Sequence, residues 1–493
     1  MRRLLRIARN IAALVMLAVV MLAGVLAYNT LTNTSRQIEV AAIPRVPVDE
    51  DAVSKRLAVA IQLQTIADVS DPDKNADAFR GILAHIEANY PAFGAAVKRE
   101  VVANYSLLYT WQGSDPSAKP IALLAHQDVV PVAPGTEGDW EAPPFGGVIK
   151  DGFIWGRGSW DDKGNLFAMV EAAEQLAKQG FEPKRTIYFA FGADEEISGK
   201  RGATVMAALL ASRGVKLDFV LDEGLLITDG ILKGVDRPVA LIGVAEKGYV
   251  TLDVGSTATP GHSSLPPRET AIGSLSAALV RLENKPFPAA IRGVMRETLE
   301  TAAPHMALLN RVVLSNLWLL EPVVRRQLEQ TPTTASAIRT TTALTIFIAG
   351  NKENVLPGKA DATVNFRLLP GETEASVLDH VRNAIANDKI KVTPHIGNTD
   401  PPPVSKTDSE SYRALNRTIR EIFPDALVAP GLMVAATDSR NYINVTDTIY
   451  RFTPVRANIE DLKRFHGTNE RLSVSNYADM IRFYGRLLQN TGG

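Results

Sequence analysis

The chain has 493 residues, a formal net charge of −1 and no cysteine. That length allows two or three domains around a large core. The near-zero charge removes the usual argument for a nucleic-acid partner, and the missing thiols exclude disulfides, thiolate metal sites and cysteine nucleophiles, so any metal must be held by His, Asp and Glu.

The chain opens on four arginines, Arg2, Arg3, Arg6 and Arg9, followed by the uncharged apolar run Ile11–Tyr28. At about 1.5 Å per residue this run plus a flanking turn nearly crosses a hydrocarbon core of about 30 Å. It reads as a membrane anchor. The arginines would stay cytoplasmic, and the rest of the chain would lie on the periplasmic or extracytoplasmic side. The rival reading is a cleaved signal peptide, with Val25–Ala27 as its small-residue site. Residues 29–51 are polar with scattered prolines and read as a linker.

From residue 52 the pattern is α/β. Helical periodicity covers 54–66 and 77–89, and IALLAH (121–126) is a short apolar strand. A helix over 164–179 ends at Gly180. Strands over 186–191 (TIYFAF) and 218–224 (DFVLDEG) follow. Such alternation predicts a sheet with parallel strands, covered on both faces, with ligands at the carboxyl ends of its strands. The character changes near Lys247. Half-exposed strand patterns at 248–257, 342–350 and 360–370, with a helix at 373–387, predict a separate α+β domain over 248–397. A Leu-rich helical stretch, 286–329, interrupts it. The α/β pattern resumes over 398–493, completing a unit that began at 52–247.

Five segments place acids or histidines in loops, most just after a strand: AHQDVVPV (His126, Asp128), WGRGSWDDKGN (Asp161, Asp162), ADEEISG (Asp194, Glu195, Glu196), LDEGLL (Asp222, Glu223) and RFHGTNERLS (His466). Each alone has a plain structural explanation. Together, strand-end loops bearing hard oxygen and imidazole ligands at one sheet edge suit two divalent ions about 3.5–4 Å apart, bridged by one carboxylate. A spare carboxylate could then move a proton.

The ordered motifs AHQDVVP, GRGSWDDKGN, ADEEISG, LDEG, PGHSS, NFRLLPG and FHGTNE resemble the M20 metallopeptidase family, in its carboxypeptidase S and N-fatty-acyl-amino acid synthase/hydrolase branch. The resemblance spans about residues 50–490. It implies a zinc-peptidase-like α/β fold, a mixed sheet flanked by helices, with 248–397 as an inserted lid or dimerisation domain. It also implies two zinc ions, with cobalt or manganese as possible substitutes. His126, Asp161 (bridging), Glu196, Asp222 and His466 would be the ligands. Glu195 would be the general base and Asp128 would orient His126. The Asp161–Asp162 peptide would be cis. His262 would stabilise the oxyanion, often from a partner subunit, so a homodimer is allowed. Arg367, Arg440 and Asn354 would hold the substrate, while Asp438 reads as structural. The implied substrate is a peptide or N-acyl amino acid with a free α-carboxylate. The competing function is a membrane-tethered, zinc-dependent binding protein without catalysis.

Overall fold

The apolar runs of the sequence become the strands of one central sheet. In the computed structural model, which describes residues 2–41 and 43–492, these are β1 (Lys98–Val102), β2 (Ser106–Trp111), β3 (Ile121–His126), β4 (Ile187–Gly192), β5 (Val220–Thr228) and β6 (Val239–Glu246). A second set follows: β7 (Gly248–Thr257), β8 (Thr341–Ala349), β9 (Lys359–Leu368) and β10 (Lys391–Pro394). The chain then returns with β11 (Leu427–Met433) and β12 (Ile449–Ala457). The central sheet has eight strands in the order β1-β2-β4-β3-β5-β12-β6-β11.

All six residues of β3 are buried. Successive side chains on a strand point to opposite faces. Accordingly, Ile121, Leu123 and Ala125 join the larger core, while Ala122 and Leu124 join the core under helix Ala203–Ser212. Each fully buried Leu of this kind contributes about 1.5–3 kcal/mol. Helix α2 (Lys163–Lys178) packs on the larger core beside helix α5 (Val474–Gly492). Two glutamates on α2 are buried yet paired: Glu171 takes two bonds from Arg56 and one from the Tyr90 hydroxyl, and Glu174 takes the Phe93 N–H and pairs with Lys178.

The sheet is mixed. The β3/β4, β3/β5, β12/β5 and β11/β6 pairs are parallel, but β1/β2, β2/β4 and the single β12/β6 bridge are antiparallel. Only three residues separate β1 from β2, with Ala103 and Asn104 at φ 47° and 76°. A connection that short can join only antiparallel neighbours.

A second sheet, β8-β9-β7-β10, is wholly antiparallel and has its own core. Helices Ala271–Glu283 and Glu374–Ile385 bury Leu275 and Val381 against Leu252, Val364 and Phe366. The helical insert carries α3 (Leu308–Ser315) and α4 (Leu317–Leu328) around Leu299, Leu314, Leu317 and Val324. At the amino end, helix α1 (Arg2–Thr32) leaves its apolar side chains exposed. Its length and composition would allow it to cross a membrane. The segment after it lies on the outer strand of the central sheet, where the Gln37 amide exchanges two 2.8 Å bonds with the Val428 backbone on β11. That covers an edge which would otherwise be open to pairing.

Candidate metal centre and active site

His126 ends β3 and pairs with Gly192, which ends β4. The acidic loop 193–197 therefore starts beside it. His126 Nε2 lies 3.0 Å from Asp161 Oδ1 and 3.3 Å from Glu223 Oε1. His466 Nε2 lies 2.7 Å from Asp161 Oδ2 and 3.3 Å from Glu196 Oε1. Two groups able to hold a metal ion result, His126–Asp161–Glu223 and Asp161–Glu196–His466, and Asp161 offers one oxygen to each. Two atoms each about 2.0–2.1 Å from a tetrahedral zinc ion sit about 3.3 Å apart. The observed spacings of 2.7–3.3 Å are close to that.

Charge points the same way. Among the described residues, the only basic ion-pair partners of Asp161, Glu196 and Glu223 are the two histidines. Two carboxylates about 4 Å apart repel by about 4 kcal/mol at an effective dielectric of about 20. Burial, with facing acids, pushes Glu223 up to about 8, and it also raises Glu195, Glu196 and Asp222. The carboxylates of Asp161 and Glu196 facing its ring push His466 up to about 10. Burial opposes charge on His126, yet Glu223, Asp128 and Asp161 hold its pKa well above the ordinary value. A buried Glu196 oxygen has no hydrogen-bond donor. The donor set thus fits divalent cations: hard oxygens and imidazoles, crowded, with no Lys or Arg to neutralise them.

A ring of bonds holds the loops. The Asp128 carboxylate accepts from the backbone N–H of Glu195 (3.1 Å) and of Glu196 (3.0 Å). It stands 3.5 Å from His126 Nδ1, whose nearer partner, at 2.9 Å, is the Asp128 carbonyl. Asp128 therefore shapes the acidic loop as well as facing the imidazole. Asp162 accepts from the His126 N–H, and the Asp161–Asp162 peptide is cis. Asp194 is a buried turn residue whose carboxylate takes the N–H groups of Arg201 and Gly202.

Glu470 is the residue that motif reading passed over. Its Oε1 accepts from the N–H groups of Gly158, Trp160 and Asp161, and its Oε2 takes the Arg157 guanidinium at 2.6 Å. Arg157 also donates to the carbonyls of His466 and Gly467. This buried pair fastens the loop of Asp161 to the loop of His466. Its only sequence signal is an acid four residues after a histidine. Asp438, also buried, presses into the acidic loop: a Cβ at Gly199 (φ 64°) would come within 2.1 Å of its Oδ1.

Asp222 lies outside both groups. The expected ligand instead accepts the N–H groups of Ser439 (2.7 Å) and Glu223 (2.9 Å), and Glu223 enters the metal group. The cause is a break in register. Asp222 pairs with Arg451, but the next pair is Leu225 with Phe452, which leaves Glu223 and Gly224 as extra residues. Such a bulge re-aims a side chain. Gly224, at φ 144°, adopts a conformation that side chains disfavour, and a Cβ there would lie 2.9 Å from that of Arg451.

Residues 122–490 match peptidase family M20/M25/M40. The chain belongs to that family. It is 40% identical to a probable carboxypeptidase S-like 2 of Dictyostelium discoideum, over 94% of this chain and 91% of the relative. It is 44% identical to the N-fatty-acyl-amino acid synthase/hydrolase PM20D1 of Xenopus tropicalis, over 88% and 84%. In fold it is similar to an M20 family metallo-carboxypeptidase from Sulfolobus solfataricus, with a TM-score of 0.64 at 16% identity over 90% of this chain and all of the other. The chain is an M20-type metallopeptidase or amidohydrolase, which sets aside the reading as a binding protein without catalysis. The family implies a divalent metal, and the donor set above suits one.

In this M20 chain the residues beyond the central sheet are placed differently. His262 and Asn354 sit together on a two-stranded ribbon, where His262 pairs with Val355 and the Asn354 carbonyl takes the Ser263 N–H. Both are exposed. The His262 ring bonds Ser264 Oγ at 2.8 Å, and none of its bonds reaches the acids of the pocket. Arg367, on β9, stacks 4.6 Å over the Tyr249 ring. Burial and the nearby Arg440 depress Arg367, and burial with Arg367 pushes Lys247 down to about 7. Three cations, Lys247, Arg367 and Arg440, thus share one neighbourhood where the two sheets meet. Lys247 was not foreseen. It sits at the junction between β6 and β7 and donates to the carbonyls of Ser336 and Arg339.

Proposed function

We propose that the chain is a two-zinc hydrolase that cleaves an amide bond next to a free α-carboxylate, as a carboxypeptidase or an N-acyl-amino acid amidohydrolase. The reading rests on one observation above all: two ligand groups share Asp161, with Glu195 beside them in sequence. His126, Asp161 and Glu223 would hold one ion, and Asp161, Glu196 and His466 the other. When bound, the metals would lower the pKa of water and polarise the amide carbonyl. Glu195 takes the proton of the attacking water on its carboxylate and delivers it to the leaving amine nitrogen. Desolvation and the facing acids raise its proton affinity, which favours holding a proton between the two steps. Arg367 and Arg440 grip the substrate carboxylate, an arrangement that suits the planar guanidinium, with Asn354 as a further contact. Residues 248–397 act as a lid or dimerisation domain, and His262 reaches the oxyanion by closure or from a second copy. The helix α1 anchors the enzyme, with its body on the extracytoplasmic side.

The test is hydrolysis of dipeptides and long-chain N-acyl amino acids by the zinc-loaded protein, with and without chelator. Turnover is expected only with metal, and only on substrates with a free carboxylate. Glu195→Gln is expected to lower kcat by about 10²–10⁴ while metal content holds. Undiminished turnover in that variant would refute the base, and equal cleavage of carboxyl-blocked substrates would refute the carboxylate grip.

A further inference from the structure

We infer that helix α4 of the insert is a second membrane contact, its exposed face lying in the lipid interface beside α1. The inference rests on the reading of α1 as an anchor. The two are fastened together. Asn316, fully buried at the start of α4, donates to the Leu26 carbonyl (3.2 Å) and Thr30 Oγ1 (3.4 Å) and accepts from Asn29 Nδ2 (2.9 Å). Just past the end of α1, Asn33 bonds Ser315 Oγ at 3.0 Å and its carbonyl takes Arg311. Contacts therefore run in opposite directions along α1 and α3, and α4 begins level with Leu26, at the end of the apolar run.

At that level α4 exposes one face. Trp318 is 57% exposed, Leu319 40% and Val323 62%, while Leu317 and Val324 turn inward to the insert core. Pro322 and Arg326 are exposed on the same side. Spacings of one, four, five and eight residues from Trp318 fall on one helical face. Trp318 keeps its indole N–H on Asn316 Oδ1, and Tyr28, 67% exposed, lies on the adjoining part of α1. Aromatic rings with a polar tip collect at membrane interfaces, and an arginine about two turns on can reach headgroups. Lipid is favoured over a protein partner by continuity. The neighbouring side chains of α1, Leu22, Val25 and Leu31, are also exposed, and one bilayer surface covers both helices.

A cysteine-free chain permits a clean test. Single variants Val323→Cys, Leu17→Cys and Val101→Cys carry an environment-sensitive fluorophore, and the full-length protein is reconstituted into phosphatidylcholine/phosphatidylglycerol vesicles. Val101 is 48% exposed on β1, seven strand spacings, or about 34 Å, from β11 and its Gln37 contact. Retained hydrolysis of a soluble substrate reports folding. The label at 323 is expected to be quenched by shallow spin-labelled lipid and shielded from iodide several-fold relative to 101. Iodide access at 323 equal to that at 101, with 17 still quenched by lipid, would overturn this inference and leave the anchor intact. Shielding at 323 without lipid quenching would overturn it in favour of a protein cover. Iodide access at 17 as well would remove the anchor itself.

Discussion

The carboxyl edge of the central sheet and the separate two-stranded His262 ribbon carry the same kinds of residue in opposite states. At the sheet edge, acids and imidazoles from four loops stand within 2.7–3.3 Å of one another, and buried partners such as Asp128 and Glu470 fix their backbones. On the ribbon, His262 and Asn354 are exposed and bonded only within the ribbon and its turns. Both candidate ligand groups are gathered at the edge of the central sheet, whereas the His262 ring bonds none of them. Preorganisation costs least where the groups share one rigid element.

The largest effect expected from breaking the first half of this comparison comes from Asp161→Asn. Both ligand groups lose their shared oxygen, so turnover should vanish and metal content, by elemental analysis, should fall below about two ions per chain. Next comes the pair at the bulge. Glu223→Gln should approach that loss, while Asp222→Asn, acting through the backbone, should cost about 10–100-fold. Equal losses would return Asp222 to the ligand set. For the ribbon, His262→Ala should lower kcat by about 10²–10³ with metal content and melting temperature unchanged. A fall in either would mean the ribbon is part of the prebuilt pocket.

Smaller still, Glu470→Gln should weaken metal affinity about 10–100-fold, measured by competition with a chelating dye. The least effect is a pH dependence away from any metal. Glu421 is paired with Arg486 and Arg417, and although burial opposes it, these bonds hold its pKa at about 2. An unfolded glutamate titrates near about 4.3, so below that the unfolded chain binds the proton first. The stabilisation is full above about pH 4.3 and is lost as pH falls toward 2. Urea midpoints of wild type and Glu421→Gln should converge over that window.

Much of this was legible in the residues. Short apolar runs such as IALLAH fit a strand covered on both faces, where every position is buried. The motif order named His126, Asp161, Glu196 and His466, four of the five residues that the structure gathers into its ligand groups. The fifth depended on information far away in the chain. Whether Asp222 or Glu223 faces the pocket is set by register against β12, more than 200 residues later. Glu470 was hidden for a related reason: it acts by accepting backbone N–H groups, and any residue type can supply those. The mixed character of the sheet came from the family resemblance: alternating helices and strands announce parallel pairs, and the β1–β2 turn has no Gly or Pro to flag an antiparallel one.

The Asp128 carboxylate, shared between the N–H groups of Glu195 and Glu196, has a consequence for anyone redesigning this enzyme. One side chain sets the position of two consecutive residues proposed for different tasks. A change of reach there, such as Asp128→Glu, would shift both together, so proton transfer and metal affinity would drift as one trait. Independent tuning would have to start from the neighbours of each side chain, leaving that shared hinge of the loop alone.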